Sequence, residues 1–86
     1  MSKQSEIKTE FHRDFPAMAL LQVAEVLKEG NRVYGQSNWR TIDCDDHINH
    51  AINHLLQYMS KDNTEDHLSH AAARIMFALQ LIHDMS

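Results

Sequence analysis

One cysteine, one proline and two glycines in 86 residues leave little room for cross-links or sharp turns. The lone thiol, Cys44, forms no disulfide within the chain, which excludes a disulfide-stapled scaffold and fits a reducing compartment. Cys44 lacks a catalytic context and reads as a packing residue. The longest apolar run, "AMALL", is far too short for a membrane span, and the N-terminus shows no apolar signal core. A cytoplasmic protein is expected. The eight basic residues stand against twelve acids and form no cluster, so a broad nucleic-acid surface is unexpected. Few turn formers favour long helices.

What is present is helical patterning. Residues 1–13 are polar and read as a flexible arm, leaving residues 14–86 as a single helical domain. Pro16 suits the first turn of a helix, and Gly30 suits its end. Between them Leu20, Leu21, Val23, Ala24, Val26 and Leu27 cover most of the circumference. A helix this apolar needs covering on more than one side, so a homo-oligomer is expected. A second helix is predicted over 45–59, started by acids that suit a positive helix end. A polar turn follows, with Asn63 and Thr64 as capping residues, and a third helix over 65–83. The fold class is all-α: three helices, the last two an antiparallel hairpin, completed by oligomerisation. On a wheel, Ile48, Ala51, Ile52, Leu55, Leu56 and Met59 form the expected core side of the second helix. Leu68, Ala72, Ile75, Leu79 and Ile82 do so for the third.

The seven histidines are the unusual feature. His47, His50 and His54 repeat at i, i+3, i+7, as do His67, His70 and Arg74. Each triplet borders its helix's apolar face, so the two stripes are expected to flank one cleft. Boundary histidines satisfied across the hairpin are the commoner use of any single one. A shared divalent metal (Mg, Mn or Zn) is the sharper reading, since imidazoles spaced like His50 and His54 can share an ion. The zinc-protease HExxH motif is absent there. Arg74 favours a third reading, an anionic ligand such as a phosphate held by His and Arg. Tyr34 and Trp39, aromatics in a Gly/Asn/Ser-rich loop, are core plugs first and platforms for a flat ligand second.

The order of several short motifs carries more information than any one of them. These are "DFP" at 14–16, "EG" at 29–30, "VYGQSNWR" at 33–40 and "NHLL" at 53–56. Asp62, Glu65 and "HLSHAAA" at 67–73 complete the set. In this order the chain resembles the N-terminal domain of phage dATP/dGTP diphosphohydrolases over roughly residues 14–83. The resemblance implies a helical, phage-encoded protein that handles purine nucleotides in the host cytoplasm. It makes Tyr34, Asn38, Trp39, His54, Asp62, Glu65, His67 and His70 candidate site residues. Val33 stands where the family usually has Lys, and Asn53 where it usually has Arg, each removing a charge that would hold a triphosphate.

Two functions follow. One is a metal-dependent nucleoside triphosphate pyrophosphohydrolase, with His54, Glu65 and His67 as catalytic residues and His54, Asp62, His67 and His70 as metal ligands. Tyr34, Asn38, Trp39, Arg40, His47, His50 and Arg74 would then bind the nucleotide. The other is a non-catalytic oligomeric binder that sequesters a nucleotide or nucleotide-derived signal as an anti-defence protein.

Overall fold

The computed structural model describes residues 14–85; the arm expected at 1–13 lies outside the described residues. The elements are α1 (Ala17–Tyr34), a 3-10 turn (Asn38–Thr41), α2 (Cys44–Met59) and α3 (His67–Met85). Among the described residues there is no strand, and α2 and α3 pack as the antiparallel hairpin. α1 lies against α3 and the 3-10 turn. Among the described residues no helix is long and apolar enough to cross a membrane.

α1 starts after Pro16, as the sequence implies, but runs past Gly30 for another turn. Its stop is Gly35, whose φ of 103° only glycine adopts without strain. The Gly35 N–H donates to the Asn31 carbonyl at 3.0 Å, and the Asn31 side chain accepts from the Ser37 N–H at 3.0 Å. One asparagine thus shapes the whole loop into the 3-10 turn.

The link between α2 and α3 is built by specific bonds. Lys61 takes a left-handed φ of 68°, its N–H donates to Tyr58, and the Asp62 N–H donates to Gln57. These two bonds satisfy carbonyls at the end of α2 and aim Asp62 back toward the hairpin. Asp66, rather than the expected Asn63 or Thr64, caps α3: its carboxylate accepts from the Ser69 N–H at 3.1 Å and the Ser69 hydroxyl at 2.6 Å.

The interior keeps Ala51 of the core drawn from the wheels, leaves Ala72 half-buried and overturns the large apolar residues. The buried residues are Ala51, Ala71, Ala73, Ala78, His47, His67 and Ser69. Ile48, Ile52, Leu55, Leu56 and Met59 on α2 stay exposed, as do Leu68, Ile75, Leu79 and Ile82 on α3. The seam between the helices is therefore rotated by roughly 90° from the apolar stripes. The alanines explain it, because small side chains let the backbones close together, and the polar seam residues find partners there. No buried side-chain nitrogen or oxygen among the described residues lacks a hydrogen bond. Because the helices are antiparallel, both apolar stripes fall on one side of the hairpin. His70, Arg74 and Phe77, which face α1, lie on the opposite side of α3.

Candidate functional site

Between α1 and the hairpin lies a cleft of about 350 Å³. Its α1 wall presents Val26, Leu27, Val33 and Tyr34 with Glu29 and Asn31 among them, while His54, Glu65, His70 and Arg74 line the hairpin side. Two clusters are organised around it.

The first sits at the turn end. His54 Nδ1 and His67 Nδ1 are 2.9 Å apart, and Glu65 Oε1 lies 3.5 Å and 3.6 Å from them. The far ring nitrogen of His67, Nε2, donates to Asp62 Oδ2 at 2.9 Å. Asp62 is itself held, its other oxygen accepting from the Thr64 N–H and hydroxyl. These bonds from His67 and Thr64 keep the Asp62 carboxyl below the usual carboxylate range. With its proton on Nε2, His67 turns a lone pair on Nδ1 toward His54, which donates from its own Nδ1. His70 stacks on His54 with ring centroids 5.0 Å apart. Burial first, then the neighbouring His70, lowers the His54 pKa and favours the neutral imidazole.

That depression gives a pH prediction. A histidine with a lowered folded-state pKa gives its full stability above the unfolded value of about 6.5. The contribution is lost as pH falls through the folded value. Thermal melts of the metal-free protein should therefore drop as pH falls below about 6.5, and His54→Gln should flatten that part of the profile. An unchanged profile would contradict the assigned environment of His54.

The second cluster begins with His47, which has no exposed surface. Its Nε2–H donates to the Trp39 carbonyl at 2.9 Å, and its Nδ1 accepts from Arg74 Nη1 at 3.2 Å. A ring that donates to a carbonyl and accepts from a guanidinium is the neutral tautomer. His47 therefore holds Arg74 without cancelling its charge. Among the described residues Arg74 has no carboxylate within ion-pair distance. Burial lowers its pKa, with Tyr34 acting the other way, and the guanidinium remains a cation facing the cleft. Trp39 stacks on Phe77 at 4.7 Å, and Arg40 lies over the indole at 4.4 Å while pairing with Asp84 at 3.2 Å.

The two histidine stripes thus do not flank the cleft as drawn from the sequence. His54, His70 and Arg74 line it, His47 backs it from inside, and His67 is buried behind His54. His50 is exposed and is not part of the converging His54–Glu65–His67 set. Asp62 holds the outer edge of the His67 ring, so it orients that ring rather than joining the His54–Glu65–His67 set. Asn38 and Tyr34 border the cleft; Arg40 is committed to Trp39 and Asp84. Phe77 and Asn31 escaped the sequence reading. A register argument would have found the central pairs, since His47–Arg74 and His54–His67 each sit symmetrically about the turn at residues 60 and 61.

The three converging atoms suit a small divalent ion. Ligands at Zn–N and Zn–O distances in a tetrahedron stand about 3.3–3.4 Å apart, and two imidazoles with one carboxylate suit zinc better than Mg²⁺, which takes oxygen ligands. The observed separations of 2.9, 3.5 and 3.6 Å bracket the zinc spacing. Asp62 behind His67 is the outer carboxylate that metal-bound histidines ordinarily carry.

No curated protein and no solved structure matched the chain. A family model described as dATP/dGTP diphosphohydrolase, N-terminal, matches residues 2–85. With nearly every residue inside that match, the chain belongs to the dATP/dGTP diphosphohydrolase N-terminal domain family.

Proposed function

We propose that this chain is a metal-dependent pyrophosphohydrolase-like domain acting on a purine deoxynucleoside triphosphate. The observation that carries the reading is the convergence of His54, Glu65 and His67 at the edge of a cleft that also holds Arg74, a guanidinium with no carboxylate partner among the described residues. His54 and His67 would each offer Nδ1 and Glu65 one oxygen to the ion, His54 moving its proton to Nε2. A divalent ion bound there would activate water and polarise a phosphoryl oxygen. Asp62 fixes the His67 ring through Nε2, so that Nδ1 keeps its lone pair aimed at the site. Arg74 donates to non-bridging phosphate oxygens, and the His47 strut keeps it from swinging away. Neutral His54 carries no charge that would repel the ion.

One observation favours a second reading, the non-catalytic binder. Val33 lines the cleft where the family usually has Lys, so Arg74 is the one Lys or Arg side chain among its described lining residues. A site this poor in cations gives little stabilisation to the charge that develops on the phosphates during hydrolysis, which favours binding without turnover. Under either reading, copies of the chain associate through the apolar side of the hairpin. A phage origin and action in the host cytoplasm belong to the same proposal.

Purified protein with Mg²⁺, Mn²⁺ or Zn²⁺ should release pyrophosphate or phosphate from dATP or dGTP, and EDTA should stop it. Arg74→Ala should weaken nucleotide affinity by roughly 10- to 100-fold, the worth of a lost charge-assisted hydrogen bond of about 1.5–3 kcal/mol. Nucleotide recovered intact with every metal, yet bound in EDTA, would replace the hydrolase with the binder.

A further inference from the structure

Nothing among the described residues gives Gly30 a reason to be glycine. It sits inside α1, one turn before the true stop at Gly35, so it caps nothing. Its φ is not in the left-handed region, so the backbone does not demand it. A Cβ built there would meet nothing within 4 Å among the described residues, so their packing does not demand it either. Glycine inside a helix destabilises it relative to alanine. The chain carries that cost at a position facing the cleft.

The neighbours define the shape. Val26 and Leu27 lie one turn before Gly30, Val33 and Tyr34 one turn after, and all four line the same cleft. Gly30 is therefore a notch between apolar side chains in a wall two helical turns long, with Glu29, paired to Arg32, and Asn31, bonded to the Ser37 N–H, on either side of it. Arg74, also lining the cleft, supplies the positive charge. A ligand matching both features has a flat, weakly polar part and an anionic part.

We infer that Gly30 seats the planar base of a purine nucleotide against the bare backbone of α1, with the phosphates directed to Arg74. The inference rests on the reading of the cleft as a nucleotide site and adds where and how the base is held. An aromatic ring packs at about 3.5–4.0 Å from the atoms beneath it, so an added methyl group would lift the base off the wall.

The test compares wild type, Gly30→Ala and Gly30→Leu by calorimetry and thermal melting. The probes are dATP with a non-hydrolysable α,β-methylene bridge and inorganic tripolyphosphate, which has no base. Alanine should raise the melting temperature by a few degrees, as a better helix former. It should nonetheless weaken the dATP analogue about tenfold or more, while tripolyphosphate binding stays within about twofold. Leucine should abolish binding of the analogue. Unchanged analogue affinity in both variants would overturn the inference while leaving the nucleotide site standing. Parallel loss of both probes would overturn it too, since the base would not be what Gly30 senses. If sedimentation shows the variants dissociating, with affinity falling only alongside, Gly30 is a subunit contact and the inference fails. Wild type that binds neither probe removes the nucleotide reading itself, and this inference with it.

Discussion

His67→Ala should abolish metal uptake and phosphate release together, with affinity for the ion falling more than about 100-fold. Even outer-shell partners of metal ligands are worth 10- to 100-fold, and His67 would lose both its own nitrogen and the purpose of Asp62. His67 is only 3% exposed, so alanine also leaves a cavity, and the Asp62 carboxylate loses its strongest partner. Asp62→Asn is the milder companion, because asparagine keeps the size and one acceptor oxygen. It should reduce zinc affinity by about 10- to 100-fold and leave the circular dichroism of the helices unchanged. Inductively coupled plasma mass spectrometry on dialysed protein and competition with a zinc dye give both numbers. Zinc uptake by His67→Ala equal to wild type would end the metal reading.

Ile52→Glu combined with Leu79→Glu should convert an assembled protein into monomers. Ile52 is 48% and Leu79 63% exposed in the single chain, and both lie on the apolar side of the hairpin. With Ile48, Leu55, Leu56, Met59, Leu68, Ile75 and Ile82 they form one side of α2 and α3. At roughly half exposure each, this side offers an area near the 800 Å² per partner of a standard interface. Soluble monomers rarely leave a contiguous apolar patch of that size uncovered. Burying an unpaired carboxylate in such a contact is costly, so the double variant should not assemble. Analytical ultracentrifugation at micromolar concentration decides it. A monomeric wild type, or a double variant that sediments like wild type, would rule out this face. The face differs from the one the sequence suggested, the apolar wrap of α1. There Val23, Val26 and Leu27 are half-buried, with Val26 and Leu27 lining the cleft, while Met18, Leu20 and Leu21 stay exposed.

Local chemistry was legible in the residues. Pro16 before α1, the acids opening α2 and the polar turn ahead of α3 follow from capping and breaker rules, and the structure keeps all three helices. Spacing also showed that the histidines and Arg74 share helix faces. Spacing along one helix says nothing about which face meets the neighbour. The apolar stripes looked like the interior because area burial favours them. Alanines at 51, 71 and 78 let the helices close on the histidine edge, and Ala73 is buried on another side of α3.

The sequence by itself therefore determined the helices, their order, the antiparallel sense and the family. Those depend on dihedral preferences, caps and short-range spacing, which a linear string records. Only the tertiary structure decided that His47 is a buried strut, that His50 is solvent-facing, and that His54, Glu65 and His67 converge. It also decided that α1 ends at Gly35, which leaves Gly30 facing the cleft. The physical reason is that a polar side chain's role is set by which partner reaches it across the seam. That seam is fixed by close backbone approach and hydrogen-bond satisfaction summed over both helices, not by the hydrophobicity of either one.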